Sequence, residues 1–114
     1  MDRSNYQFLL DVYQGKIKRK LTDEELKELK DNEFVMSFLI STPVLLKYCG
    51  GYEMIKKIVN LDGLALSNYM EWLSKIFNVD PELILIKMAS IVYEREKEKN
   101  KRAKIKKKNH DKQV

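Results

Sequence analysis

Asn78-Val79-Asp80-Pro81-Glu82-Leu83-Ile84-Leu85-Ile86 is the stretch that decides the fold class. Asp80 carries the side-chain oxygen of a helix N-cap, and Pro81 suits the first helical position, where its missing N–H is no loss. Leu83 to Ile86 are apolar on every side of the helix that starts there. Such a segment is expected at the centre of a domain with other helices around it. Only four Gly and two Pro interrupt the chain, and apolar residues recur at helical rather than alternating spacing, so the sequence reads as all-α. The expected architecture is a compact orthogonal bundle of about five to six helices, with a helix-turn-helix-like pair and a basic C-terminal tail, helical or disordered.

Working upstream, Leu66, Tyr69, Met70, Leu73, Ile76 and Phe77 share the apolar face of a helix over about Leu64–Phe77, with Trp72 on its flank. This helix and the next have helix-turn-helix form. Ser74 is the small residue where two helices cross, Asn78 is able to turn left-handed, and Val79 with Ile84 locks the crossing. A groove-reading helix, however, starts with polar side chains for base edges. Here Asp80 and Glu82 would repel phosphates, and the residues that follow are apolar, which favours a structural helix pair over a DNA reader.

Asn60-Leu61-Asp62-Gly63 is a turn, and Tyr52 to Val59 reads as a short helix with Met54, Ile55, Ile58 and Val59 inward. Gly50-Gly51 ends a preceding helix that Thr42 caps, Pro43 opens and Val44 to about Tyr48 fills. Thr22 and Glu25 have capping-box spacing and start the clearest helix. Leu26, Leu29, Glu33, Met36 and Ile40 lie along it at three- and four-residue steps, and Phe34 and Phe38 are expected to widen its buried face. The first helix is expected to follow Ser4 as N-cap and run to about Gln14, with Tyr6, Leu9, Leu10 and Tyr13 inward and Gly15 as the stop.

Length and charge bound the rest. The chain of 114 residues, 44% hydrophobic and 34% charged, suffices for one domain that buries roughly two-thirds of its unfolded-chain surface. The net charge of +5 is uneven, because residues 1–93 carry net −1 and residues 94–114 net +6. We therefore divide the chain into a helical domain, 1–93, and a basic tail, 94–114, which should fray near Lys106-Lys107-Lys108. Lys97, Lys99, Lys101, Arg102, Lys104, Lys106, Lys107 and Lys108 are candidates for sequence-independent phosphate contact, and Lys16, Lys18, Arg19 and Lys20 would join them if the two segments lie close. No aromatic follows Tyr93, so the tail has nothing on which to stack a base.

Other chemistry is thinly represented. One Cys, Cys49, excludes an internal disulfide, and the one His, His110, lies in the tail. No Ser-His or Cys-His pair, Gly-rich phosphate loop or metal-ligand cluster can be assembled in the domain, so no catalytic residue, cofactor or metal is expected. No apolar run approaches the ~20 residues of a membrane span, and no signal-peptide core follows Met1, so a cytoplasmic protein without membrane contact is expected. Tyr48, Tyr52, Tyr69 and Trp72 are core or rim aromatics that, where exposed together, would mark a protein interface.

Two segments resemble one family. Asn32-Glu33-Phe34-Val35-Met36-Ser37-Phe38-Leu39-Ile40, followed by Pro43, is similar to the Asn-x-Phe-Ala-x-x-Leu-Leu-Met-Pro segment of the ImmA/IrrE-like metallopeptidases of phages, integrative elements and their hosts. Leu73-Ser74-x-x-Phe77-Asn78-Val79-Asp80-x-Glu82-x-x-x-Ile86-Lys87-Met88 resembles that family's Leu-Ala-x-x-Phe-x-Val-Ser-x-Glu-x-x-x-Ile-Arg-Leu segment. The likeness covers roughly residues 30–90, the family's C-terminal part, and Pro43 is displaced by two residues from the pattern. It does not bring the enzyme with it: the His-Glu-x-x-His motif is absent, and the family's third zinc ligand falls at Lys30, whose ammonium cannot coordinate a cation. The resemblance thus implies a metal-free, non-catalytic docking or regulatory module of a phage, plasmid or other mobile element. Its expected partner is another protein, with DNA contact through the tail as support. The alternative is a helix-turn-helix DNA-binding regulator that uses Lys16–Lys20 and the tail.

Overall fold

The computed structural model describes residues 5–112, with side chains described as far as Arg102. Its helices are α1 (Tyr6–Tyr13), α2 (Asp23–Leu39), α3 (Thr42–Cys49), α4 (Tyr52–Val59), α5 (Gly63–Phe77) and α6 (Pro81–Lys112), with no strand among the described residues. The all-α bundle expected from the periodicity is the one observed.

The turn into α6 is built as its residues dictate. Asn78 takes the left-handed conformation, with φ 55° and ψ 48°, a region that Asn tolerates because its short polar side chain replaces lost local hydrogen bonds. The Asp80 Oδ1 accepts the Glu82 backbone N–H at 3.0 Å. Leu83, Ile84 and Ile86 are buried, as are Met88, Ala89 and Ser90 one turn further on, and Leu85 is half-buried. α1, α4 and α5 all pack on this helix, and α3 joins through α4. The first half of α6 is therefore the centre of the core, closed by Leu9, Leu45, Ile55, Ile58 and Leu73.

Helix ends differ slightly from expectation. Asn5, and not Ser4, is the N-cap of α1; Ser4 lies outside the described residues. Ser41 caps α3, so Thr42 and Pro43 are both inside the first turn. In α4, Ile55 and Ile58 are buried, whereas Met54 and Val59 are only half-buried. α6 runs past Tyr93 without a break and continues through Lys106-Lys107-Lys108, where fraying is expected from composition, to Lys112. Just past Tyr93, α4 is tied to α6: Tyr52 Oη donates to Glu96 Oε1 at 3.1 Å and Lys56 Nζ donates to the same oxygen at 3.0 Å.

α2 holds the main correction. Its capping box forms, with the Glu25 N–H donating to Thr22 Oγ1 at 3.2 Å and the Thr22 N–H donating to Glu25 Oε1 at 2.9 Å. Arg19 adds a two-pronged contact, each nitrogen 2.8 Å from a Glu25 oxygen. These bonds, Arg19 first and the Thr22 N–H second, hold the Glu25 carboxyl at about 2 in place of the usual 4.5. A depressed carboxylate contributes its stabilisation above the unfolded value and loses it as pH falls through the folded one. Fraying of the first turn of α2 is accordingly expected between pH 4.5 and about 2, read from amide exchange at Glu25 and Leu26; protection that persists at pH 2 would contradict this.

Phe34 and Phe38, expected inside, are 71% and 83% exposed, and Leu26 and Leu39 are 43% and 47% exposed. The inward side of α2 is instead Met36 with the buried amide of Asn32, followed by Ile40 and flanked by half-buried Leu29. At ~100° per residue, Phe34 and Phe38 each lie about 200° from Met36, on the opposite side of the helix. Their ring centroids are 6.4 Å apart, so they touch each other and not the core. Replacing both with Ser is expected to change unfolding free energy by no more than about 0.5 kcal/mol per site. Urea denaturation checks this, and a loss of several kcal/mol would mean that the rings are packed.

Candidate functional site

The exposed aromatic surface lies where α3 meets α5. Helical spacing puts Val44 and Tyr48 on one face of α3, and Tyr69 and Trp72 on the flank of α5 that faces it. Tyr48 packs edge-on against both Trp72 and Phe77, at centroid distances of 6.2 and 6.3 Å. Edge-to-face packing at such distances is the favourable arrangement for aromatic pairs. Yet 48% of Tyr48, 45% of Trp72 and 37% of Tyr69 stay in contact with solvent, and Val44 beside them is exposed as well. Tyr69, expected to face inward, is exposed instead, about one turn before Trp72 on α5. Tyr52 is not part of this surface: its ring lies beneath the Arg95 guanidinium at 4.4 Å and 5.7 Å from Lys99 Nζ, so it fastens α4 to α6.

The basic candidates divide. Arg19 is committed to Glu25, Lys99 to the Tyr52 ring, and Arg102 to Glu98 at 3.5 Å one turn away. Lys18, Lys20 and Lys101 are exposed. Lys104, Lys106, Lys107 and Lys108 lie outside the residues whose side chains are described. Lys16 and Lys97, from segments far apart in sequence, line a single groove of about 760 Å³. Tyr13, Val59, Ala89, Val92 and Tyr93 form its apolar surface, and Gln14, Asn60 and Asn100 its polar edge.

A polar seam joins α1, α2 and α6. Tyr13 Oη donates to Glu33 Oε1 at 3.0 Å, and the Tyr13 ring packs edge-on against Tyr93 at 5.8 Å. Burial and the adjacent Glu33 carboxylate push the Tyr13 hydroxyl well above its ordinary range. Burial pushes the Lys87 ammonium down, with Glu33 opposing. Among the described residues, Asn32 has no hydrogen-bond partner for either atom of its buried amide, and it lines a cavity of about 360 Å³ between α1 and α2 with Leu9 and Val35.

For chemistry the inventory is short. Cys49 is buried, and that burial raises its thiol pKa, which makes it a packed residue and a poor nucleophile. No group of three or more His, Cys, Asp or Glu is placed to hold a metal ion among the described residues, and no helix among them is long and apolar enough to cross a membrane. The groove residues Gln14, Asn60 and Val92 escaped sequence reasoning because they come from three elements and share no spacing; the exposed Phe pair was detectable from its helical angle. No protein-family model, characterised protein or solved structure matches the chain.

Proposed function

We propose that the chain is a cytoplasmic, non-catalytic protein-interaction module with a regulatory role, whose contact surface is centred on Tyr48 and Trp72. The observation that carries this reading is the half-exposed, edge-packed aromatic cluster at the α3–α5 junction. Large aromatics left in water where two helices meet are the residues that dominate binding energy at interfaces. The setting in a phage, plasmid or other mobile element rests on the sequence resemblance alone. Burial of Leu83, Ile84 and Ile86 supports this reading over base recognition, since these residues hold the start of α6 inside the domain. The basic tail adds electrostatic support to whichever partner is engaged.

A photo-crosslinking phenylalanine analogue at position 72, in extract of the native host, is expected to give one discrete protein adduct, and Tyr48→Ala should abolish it. The same analogue at exposed Glu24 should give none. Adducts at position 24 with none at 72, or an adduct indifferent to Tyr48→Ala, would overturn the assignment.

A further inference from the structure

The groove beside α6 has a composition that neither a solvated flank nor a phosphate contact calls for. It runs from Ala89 to Asn100, about 16 Å along the helix, a span that an extended peptide covers with roughly five residues. Its surface is apolar along Val59, Ala89 and Val92, and the Tyr13–Tyr93 edge-on pair belongs to the same lining. A phosphate backbone has no use for such a surface, because its contacts are charge to charge.

Charge at the edge is one-sided. Lys16 and Lys97 both line the groove, and neither has an ion-pair partner among the described residues. Lys97 Nζ is 5.9 Å from the Tyr93 ring centroid, over the groove's own aromatic wall. The one carboxylate present, Glu96, is already held by Lys56 and Tyr52. A positive edge thus stands on a domain whose formal charge is slightly negative. Three side-chain amides complete the edge: Gln14 and Asn100 each offer a donor and an acceptor, while Asn60 spends its Nδ2 on the Lys56 carbonyl at 2.8 Å and keeps its oxygen to accept.

We infer that this groove is a docking site for an extended acidic peptide segment of a partner protein, with apolar side chains against Val59, Ala89 and Val92 and carboxylates against Lys16 and Lys97. Amide edges matched to a peptide backbone, on an open surface trough, fit a segment of chain better than a free amphiphile. This second contact surface rests on the interaction reading above for the kind of partner alone; its position is independent of the Tyr48–Trp72 surface.

The test is a nitrogen-15 NMR titration of the full chain with a short synthetic peptide that alternates Glu with Leu and Phe. The side-chain amide resonances of Gln14, Asn60 and Asn100 are expected to shift together, while those of exposed Gln7 stay in place. The same peptide with Lys for Glu should leave all four unmoved. Lys16→Glu with Lys97→Glu, two exposed positions, should weaken the acidic peptide by about tenfold or more, since like charges then oppose it, with the helical circular dichroism unchanged. No shift at millimolar peptide, equal binding of the Lys peptide, or indifference to the charge reversals would overturn the inference. Shifts gathered on Tyr48 and Trp72 would also reject the groove while leaving the aromatic interaction surface standing, so the two readings fail separately.

Discussion

Ile84→Ala is expected to cost the domain about 2–5 kcal/mol, the range for truncating a fully buried aliphatic side chain that its surroundings only partly refill. Ile84 is wholly inaccessible to solvent, and it belongs to the helix against which α1, α4 and α5 all pack. The hole would therefore open where several elements meet, and none of them can move in to fill it without leaving another. Small domains have only about 5–15 kcal/mol in total, so this single change removes a large share. Urea denaturation should show a lower midpoint with an unchanged slope. A loss below about 0.5 kcal/mol, the range of exposed sites, would mean that the start of α6 is not the core.

Asn32→Leu is expected to act in the opposite direction, raising stability by about 1–3 kcal/mol. Both polar atoms of the Asn32 side chain are buried without a partner among the described residues, and a buried amide without hydrogen bonds forfeits its hydration for nothing. Leucine has similar bulk and would meet Leu9 and Val35 along the same cavity. The gain should appear as a higher urea midpoint. A lower midpoint would show that the amide is satisfied in solution.

What the sequence made legible was local chemistry. The capping box at Thr22 and Glu25, the stop at Gly50, the left-handed Asn78 and the Asp80-Pro81 helix start all depend on residues within one turn of each other, and each is found in its expected role. The all-apolar run at Leu83–Ile86 also carried its own meaning, since nothing but a core accommodates it. Phe34 and Phe38 are not legible from hydrophobicity alone, since their helical angle sets them on the side of α2 opposite to Met36, and the residue inside in their place is the polar Asn32.

The sites were less legible than the fold because they are assembled across elements. Tyr48 and Trp72 meet at 6.2 Å although they sit 24 positions apart. Tyr52, named with them from the sequence, turns to Glu96 and Arg95. Lys16 and Lys97 are brought to one groove by the packing of α1 on α6, which no spacing encodes. Arg19, grouped with the phosphate contacts by its charge, is spent on capping α2. Charge counts therefore overstated how many cations are available to an external ligand.

We propose a protein-interaction module in which the buried start of α6 is closed to base reading, so that any DNA contact is made by exposed basic side chains alone. Titration of the full chain with duplex DNA of several sequences, at low and at physiological salt, tests it most directly. Weak binding without sequence preference that falls steeply as salt rises is expected, the signature of phosphate contacts alone. Tight binding to one sequence that persists at physiological salt would require side chains in the base grooves, and would contradict it.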